Sequence, residues 1–221
     1  MAGNSCYHFT SFGCLRQRLR LNCNCSNSNY HRLGAGCNRC FDNPKQKRIM
    51  DFTNFSLETE RLLLVPLSIK YKHDVFREFN SSISQYMFPK PPEKIEETEE
   101  FISISEKGIK SGSDLQLVIT KKDDNEFIGL AGLHAVKTQT PILGLWVKKS
   151  AHGNAYGKEA ITALYHWAKE NLQFNYLIYD VDKDNIPSIK IPESLGGTVV
   201  SQKTIKGLSG NILNIVNYHI K

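Results

Sequence analysis

The sequence has no cysteine after position 40, no long apolar run and only one acidic residue before position 51. Its cysteines all lie near the N-terminus, at Cys6, Cys14, Cys23, Cys25, Cys37 and Cys40. Residues 51–221 therefore fold without disulfides, and we expect a cytoplasmic protein in a reducing compartment. No stretch of about eighteen apolar residues occurs, so we expect neither a membrane-spanning helix nor a membrane partner.

The net charge of +6 comes from one end of the chain. Residues 1–50 contain eight Lys or Arg residues and the single acid Asp42, a net charge of +7, which leaves −1 for residues 51–221. A basic protein is a candidate for nucleic-acid binding. Because the body of this chain is nearly neutral, we expect no nucleic-acid partner for it.

Residues 1–50 are rich in Ser, Asn, Arg, Gly and Cys and lack helical or alternating periodicity, so we predict a disordered extension. Two functional interpretations stay open. Four thiolates, those of Cys23, Cys25, Cys37 and Cys40, could form a zinc knuckle, although the first spacing is tight. The acid-poor, Ser- and Arg-rich composition also suits an organelle targeting peptide. Met50 precedes the first convincing strand, so the functional product could begin there. We expect no metal in the domain that follows.

The apolar periodicity after Met50 predicts an α/β domain over residues 51–221, with a mixed sheet and helices on both faces. The second predicted helix has Ile95, Phe101, Ile102 and Ile109 facing inward, and the third is strongly amphipathic. Strands are predicted at 60–67, 115–120, 127–136, 142–148, 176–181, 199–204 and 212–220, and helices after Ser68 and at 93–110, 156–172 and 188–195.

A loop with small residues leads into the third predicted helix, and its sequence is AHGNAYGKE at 151–159. Small residues at Gly153, Ala155 and Gly157 let a ligand approach the backbone closely. The N–H groups of such a loop, together with a helix N-terminus, form a site for an anion such as pyrophosphate. A glycine-rich start of a helix that binds nothing has the same local pattern, so this segment alone does not decide between the two.

Four motifs in order carry a resemblance to a known family. They are LETERLLL at 57–64, FIGLAGLH at 127–134, LGLWV at 143–147 with HGNAYG at 152–157, and NIPS at 185–188 with ESLGG at 193–197. Over residues 58–221 the chain resembles the GNAT superfamily, and within it the RimJ/RimL-like N-acetyltransferases. The resemblance implies a GNAT-type acyltransferase fold with a mainly antiparallel sheet.

The resemblance also implies a site for acetyl-CoA, with no metal. In the family the loop pattern has Gln or Arg, then Gly, then Gly or Ala, and here those places hold His152, Ala155 and Gly157. Asn185 is expected to hydrogen-bond the pantetheine arm, and a backbone N–H of the predicted strand at 142–148 is expected to serve as oxyanion donor. The implied cofactor residues are Leu145, Trp146, Val147, His152, Gly153, Asn154, Ala155, Tyr156, Gly157, Lys158 and Asn185.

Two catalytic groups are expected, one from the same resemblance and one from its hydrogen-bonding capacity. Many relatives protonate the leaving thiolate with a tyrosine, whose place is taken here by Pro192. In the RimL-like branch a serine is the substitute, and Ser188 fits its position, although a helix-capping role stays open. Relatives often carry a glutamate that acts as the general base, and this chain has Ile142 at that place. His134 is therefore the candidate base by hydrogen-bonding capacity, with a structural role or water as alternatives.

The predicted function is transfer of an acetyl group from acetyl-CoA to a primary amine, by direct attack in a ternary complex. The amine belongs to a protein N-terminus or a small molecule, and a homodimer is compatible with the sequence. The second predicted helix carries acids that could attract a cationic amine or simply form a solvated face, namely Glu93, Glu96, Glu97, Glu99, Glu100 and Glu106. A non-catalytic acyl-CoA-binding or sensory domain on the same fold is the alternative.

Overall fold

The strands after Met50 assemble into one sheet in the computed structural model, which describes residues 50–221. The predicted extension and the candidate zinc ligands Cys23, Cys25, Cys37 and Cys40 lie outside these residues. The strands are β1 (Leu57–Glu58), β2 (Leu62–Pro66), β3 (Leu115–Lys121), β4 (Phe127–His134), β5 (Ile142–Val147), β6 (Leu177–Asp182), β7 (Thr198–Lys206) and β8 (Ile212–Ile220). Their order across the sheet is β1-β2-β3-β4-β5-β6-β8-β7.

Every neighbouring pair in this sheet is antiparallel except β5 and β6. A parallel pair needs a crossover connection, and here residues 148–176 supply it, including a long helix. The mixed, mainly antiparallel sheet predicted from the sequence is thereby confirmed.

The parallel strands β5 and β6 pair only at their beginnings, through Ile142 with Ile178 and Leu143 with Tyr179. Beyond Leu143 the ladder ends, so a gap opens between the remainder of the two strands. Pro141 O accepts a hydrogen bond from Ile178 N at 2.8 Å. Because backbone groups alternate between the two edges of a strand, those of Leu145 also point towards the gap, and so do those of Val147.

Helices cover both faces of the sheet: α1 (Lys72–Glu78), α2 (Ser81–Ser84), α3 (Ile95–Ser111), α4 (Tyr156–Asn171) and α5 (Ile186–Ser194). On one face α1 and α3 contact each other and the strands β3 and β4. On the other, α4 and α5 contact each other, α4 also packs against β5, and α5 packs against β6 and β8. None of these helices, in the part of the chain from Met50 onwards, is long and apolar enough to cross a membrane.

Two neighbouring residues of β5 identify the faces. The Trp146 ring lies 5.3 Å from the Phe79 ring that follows α1. Leu145 points the opposite way, where it contacts Gly157 at the start of α4.

The structure corrects the sequence prediction in detail. The short elements β1 and α2 were not predicted, because two- and four-residue segments carry no periodicity. Phe101 is 39% exposed and does not face inward. The buried stripe of α3 is formed by Thr98, Ile102, Ser105 and Ile109, which follow one another at spacings of four, three and four. Phe101 is one position off this stripe and therefore lies about 100° around the helix.

Candidate functional site

The loop before α4 presents a row of free backbone donors. Gly153 and Ala155 both adopt positive φ angles, +83° and +60°, and α4 begins at the next residue without a side-chain cap. Among residues 50–221 no group accepts a hydrogen bond from the backbone N–H groups of residues 153–158. Free N–H groups at the positive end of a helix dipole form a binding site for an anion.

The backbone of residues 153–158 forms an anion-binding cradle. Side chains of the loop stabilise its conformation. His152 Nε2 donates to Val147 O at 2.8 Å, since a carbonyl can only accept. The Asn154 amide donates to two carbonyls of the loop at 3.2 Å. Arg61 donates to Asn154 O at 3.1 Å and stacks 4.7 Å from the centre of the Tyr156 ring. His152 and Asn154, both predicted to bind cofactor, thus shape the backbone of the cradle through their side chains.

An ion pair fixes the first turn of α4 to the turn between β1 and β2. Arg61 Nη2 lies 2.6 Å from Glu159 Oε2, and Thr59 Oγ1 donates to Glu159 Oε1 at 2.5 Å. Burial raises the pKa of Glu159, but the hydrogen bonds from Thr59 and Arg61 outweigh it and keep the pKa below its usual value. The charge of Glu159, a carboxylate beside the cradle, is therefore compensated by Arg61. Sequence reasoning missed this role of Arg61, because 98 residues separate the two partners.

Lysines around the cradle differ in their availability. Lys148 is buried and paired with Glu126 at 2.6 Å, so it stabilises the end of β5. Lys158 and Lys149 are exposed, and neither forms an ion pair with any residue from 50 to 221. Lys158, a predicted cofactor residue, is thus free to meet an anion at the start of α4. Within the same residues no group of His, Cys, Asp or Glu side chains is arranged to hold a metal ion.

The three predicted residues of β5 contribute in different ways. The helix α4 approaches β5 so closely that a Cβ on Gly157 would lie 2.7 Å from Leu145 Cδ2. Trp146 is on the other face and packs against Phe79 and Phe127. The Val147 carbonyl accepts a hydrogen bond from His152. The backbone donors that point towards the gap are the N–H groups of Leu145 and Val147.

At the far side of the gap, α5 begins directly after β6. Asn185 occupies the N-cap position of α5, and its side chain makes no capping hydrogen bond. Ser188 Oγ lies 2.9 Å from the Tyr179 hydroxyl. Burial raises the pKa of Tyr179 to about 12, with the hydrogen bond to Ser188 acting in the opposite direction. Since Asn185 holds the cap position, Ser188 is not the helix cap, and its partner Tyr179 was not foreseen from the sequence.

His134 lies on the opposite face, at the end of β4. Its ring covers two paired glycines: a Cβ on Gly132 would lie 2.6 Å from His134 Nε2, and one on Gly144 would lie 3.2 Å from it. His134 Nδ1 is 3.4 Å from Asp114 Oδ1. The hydrogen bond from the His134 side chain lowers the pKa of Asp114, and this effect outweighs burial, which raises it. The imidazole therefore turns Nδ1 towards a carboxylate and Nε2 towards the sheet beside the gap, where the described residues offer it no hydrogen bond.

The predicted catalytic residues thus lie on opposite faces of one opening. Ser188 and Asn185 belong to the face covered by α4 and α5, whereas His134 belongs to the face covered by α1 and α3. The gap between β5 and β6 connects the two. A molecule that extends through this gap could meet a base on one side and a hydroxyl on the other.

The acids of α3 are partly engaged. Glu99 pairs with Lys72 at 2.6 Å, and Glu93 pairs with Lys90 at 2.6 Å. Glu106 Oε1 accepts a hydrogen bond from Ile69 N at 3.3 Å. Glu97 Oε2 accepts a hydrogen bond from Glu93 N at 3.4 Å. Four of the six glutamates therefore have local structural partners, which weakens the case that all of them attract a cationic ligand.

Comparisons with known proteins identify a related family. The sequence model of a family described as an acetyltransferase (GNAT) domain matches residues 61–198. A comparison with curated protein sequences gives no significant match.

Solved structures share the fold at low sequence identity. An acetyltransferase (GNAT family) from Bacillus anthracis is 20% identical, with a TM-score of 0.62, and the match covers 75% of this chain and 97% of the Bacillus anthracis chain. The spermidine N-acetyltransferase from Vibrio cholerae, in complex with CoA and spermine, is 17% identical with a TM-score of 0.64, covering 73% and 96%. An acetyl transferase from Salmonella typhimurium that modifies the N-terminal serine of ribosomal protein L7/L12 is 16% identical with a TM-score of 0.61, covering 73% and 94%.

Proposed function

The chain belongs to the GNAT family of acetyltransferases, and on that premise we propose that it transfers an acetyl group from acetyl-CoA to a primary amine by direct attack in a ternary complex. The observation that carries the proposal is the gap between β5 and β6, with the free N–H groups of residues 153–158 at one end. The RimJ/RimL-like branch, which the sequence resembles, is the proposed subgroup.

The residues around the gap fit acetyl-CoA. Its pyrophosphate suits the backbone donors of residues 153–158, with Lys158 adding positive charge. Asn185, whose amide is uncommitted, suits a polar group of the pantetheine arm. The N–H groups of Leu145 and Val147 would hold the carbonyl oxygen, where preorganised donors stabilise developing negative charge. Acetyl-CoA supplies the acetyl group as a thioester.

His134 would act as the base. Its Nε2 has a free lone pair when Nδ1 carries the proton, and Asp114 favours that tautomer by lying next to Nδ1. The amine attacks the carbonyl carbon from the α1–α3 face and gives a proton to Nε2. As the C–N bond forms, the C–S bond breaks.

Ser188 would act on the leaving group from the α4–α5 face. Its hydroxyl donates a hydrogen bond to the departing sulfur, which leaves as a thiolate and then takes a proton from solvent to become the thiol. A thiol ordinarily titrates near a pKa of about 8.5, so a hydrogen bond rather than a strong acid is sufficient. The proposed base and the proposed donor would then act from opposite faces of the opening.

The acceptor class, domain organisation and location complete the proposal. One structural relative is named for spermidine and another for the N-terminal serine of a ribosomal protein, so a small-molecule or protein-terminal primary amine is the proposed acceptor. Residues 51–221 are the proposed catalytic domain and residues 1–50 an extension, in the cytoplasm.

A turnover assay with the full chain tests the function. Acetyl-CoA is mixed with spermine, with a peptide bearing a free N-terminal serine, and with the same peptide blocked at its N-terminus. We expect release of the CoA thiol together with a mass increase of one acetyl group on an unblocked amine. Binding of acetyl-CoA without thiol release for any primary amine would instead favour an acyl-CoA-binding sensor.

A further inference from the structure

We infer that Tyr179 is a positioning residue whose hydroxyl orients the Ser188 side chain at the gap. This inference rests on the proposed function and adds a residue that neither the sequence motifs nor the resemblance indicated. The pair joins the end of the β5–β6 ladder to the first turn of α5, with 2.9 Å between the two hydroxyl oxygens.

The position of Tyr179 in the sheet brings it to the gap. Tyr179 pairs with Leu143, which is the last paired residue before β5 and β6 separate. Side chains at paired positions point to the same face, so Tyr179 lies with Leu143 and Leu145 on the side covered by α4 and α5. Its hydroxyl therefore reaches α5 where the opening begins.

The direction of the hydrogen bond follows from burial. Tyr179 is only 3% exposed, and a buried phenol normally donates its proton to a partner. Ser188 Oγ is the one acceptor that the described residues provide for it. Tyr179 therefore donates, Ser188 accepts, and the Ser188 proton stays available for another acceptor. Accepting one hydrogen bond also makes a hydroxyl a better donor.

Burial also separates Tyr179 from a direct catalytic role. The apolar surroundings hold its pKa at about 12, so the phenol keeps its proton over the range in which a thiol titrates. Ser188 is only partly buried and is the member of the pair that can reach a ligand. Tyr179 thus acts through Ser188.

The chain contains a matched control. Tyr165 on α4 is likewise buried, at 7% exposure, and donates to Lys221 O at 2.8 Å. Tyr165→Phe also removes a buried phenol hydroxyl and its hydrogen bond. This tyrosine lies on a helix, however, and its partner is the backbone carbonyl of Lys221. Any general cost of removing a buried phenol hydroxyl appears in both variants.

The test measures affinity of the full chain for CoA and for desulfo-CoA at pH 7 and at pH 9.5, where the free thiol is largely ionised. We expect the unaltered protein to prefer CoA at the higher pH, because Ser188 donates to the thiolate. Tyr179→Phe and Ser188→Ala should each reduce that preference roughly three- to tenfold, the worth of one hydrogen bond. Desulfo-CoA affinity should stay unchanged, and Tyr165→Phe should keep the full preference.

The double variant Tyr179→Phe/Ser188→Ala decides whether the two residues act together. We expect it to lose no more of the preference than Ser188→Ala alone, since Tyr179 acts only through Ser188. Full preference in Tyr179→Phe, or losses that multiply in the double variant, would overturn the inference. An unaltered protein that binds both ligands equally would overturn it while leaving the acetyltransferase proposal standing, whereas no binding of either ligand would overturn both.

Discussion

The proposed base His134 is positioned by two glycines and one carboxylate. Gly132 and Gly144 leave room for its ring, and Asp114 lies beside Nδ1 at 3.4 Å. The sequence suggested the histidine but not its environment, because Asp114 and Gly144 reach it only through strand pairing. Local sequence carries no signal for such contacts.

Replacing this base should slow the reaction strongly. We predict that His134→Gln lowers kcat by about a hundredfold, the usual contribution of a positioned base, with little change in the affinity for acetyl-CoA. Turnover of acetyl-CoA with an active primary amine measures the effect. His73→Gln, an exposed histidine on α1, is the control, and equal rates in the two variants would remove His134 from the role.

Ser188 should affect turnover rather than binding. We predict that Ser188→Ala lowers kcat by about tenfold, since it removes one hydrogen bond to the leaving group, while acetyl-CoA binds nearly as before. Ser194→Ala is the matched control, because Ser194 also lies on α5 and bonds only to Ile191 O at 2.8 Å. Unchanged turnover in Ser188→Ala would show that the leaving group needs no serine.

Glu126 gives the protein a specific acid sensitivity. Hydrogen bonds from Lys121 and Lys148 lower its pKa from 4.5 to about 2. A carboxylate whose pKa is lower in the folded state stabilises the fold above its unfolded pKa, and that contribution is lost as the pH falls from about 4.5 towards 2. We predict that Glu126→Gln shows a shallower loss of unfolding free energy over this interval, measured by urea denaturation. Glu170→Gln, at an exposed site, should follow the unaltered protein; identical curves for all three proteins would refute the assignment.

At the scale of elements, the proposed cofactor site depends on the close contact between α4 and β5. The amphipathic pattern of residues 156–172 predicted this helix, and the structure places it at Tyr156–Asn171. The pattern did not indicate how closely the helix approaches β5. That distance is set by Gly157, because a Cβ there would lie 2.7 Å from Leu145 Cδ2 and 3.3 Å from Val147 Cγ2.

Adding one methyl group at this contact should separate α4 from β5. We predict that Gly157→Ala destabilises the fold by about 1–3 kcal/mol, the usual cost of overpacking, and weakens acetyl-CoA binding because the cradle moves away from β5. Chemical denaturation and ligand titration measure the two effects. The double variant Gly157→Ala/Leu145→Ala makes room for the methyl group and should regain part of the affinity. A stable Gly157→Ala protein with normal affinity would contradict the close contact.

For the whole molecule, the sequence indicated the main elements and their order but not the arrangement of the site. Alternating and helical periodicities are local, so β3, β4, β8, α3 and α4 were predicted within a few residues of their observed bounds. The gap arises because one edge of β6 pairs with β5 over only two residues, whereas its other edge pairs with β8 over six. The pairs Arg61–Glu159, Asp114–His134 and Tyr179–Ser188 depend on that topology, which periodicity does not encode.

The loop before α4 and the gap beside β5 are expected to hold acetyl-CoA together. Isothermal titration of the full chain with acetyl-CoA tests it most directly, since no acceptor is required, and S-acetyl-pantetheine serves as a comparison that lacks the pyrophosphate. We predict a dissociation constant of roughly 1–100 µM for acetyl-CoA and far weaker binding of S-acetyl-pantetheine. A folded protein that binds no acetyl-CoA, or that binds both thioesters equally, would show that the loop and the gap do not form this site.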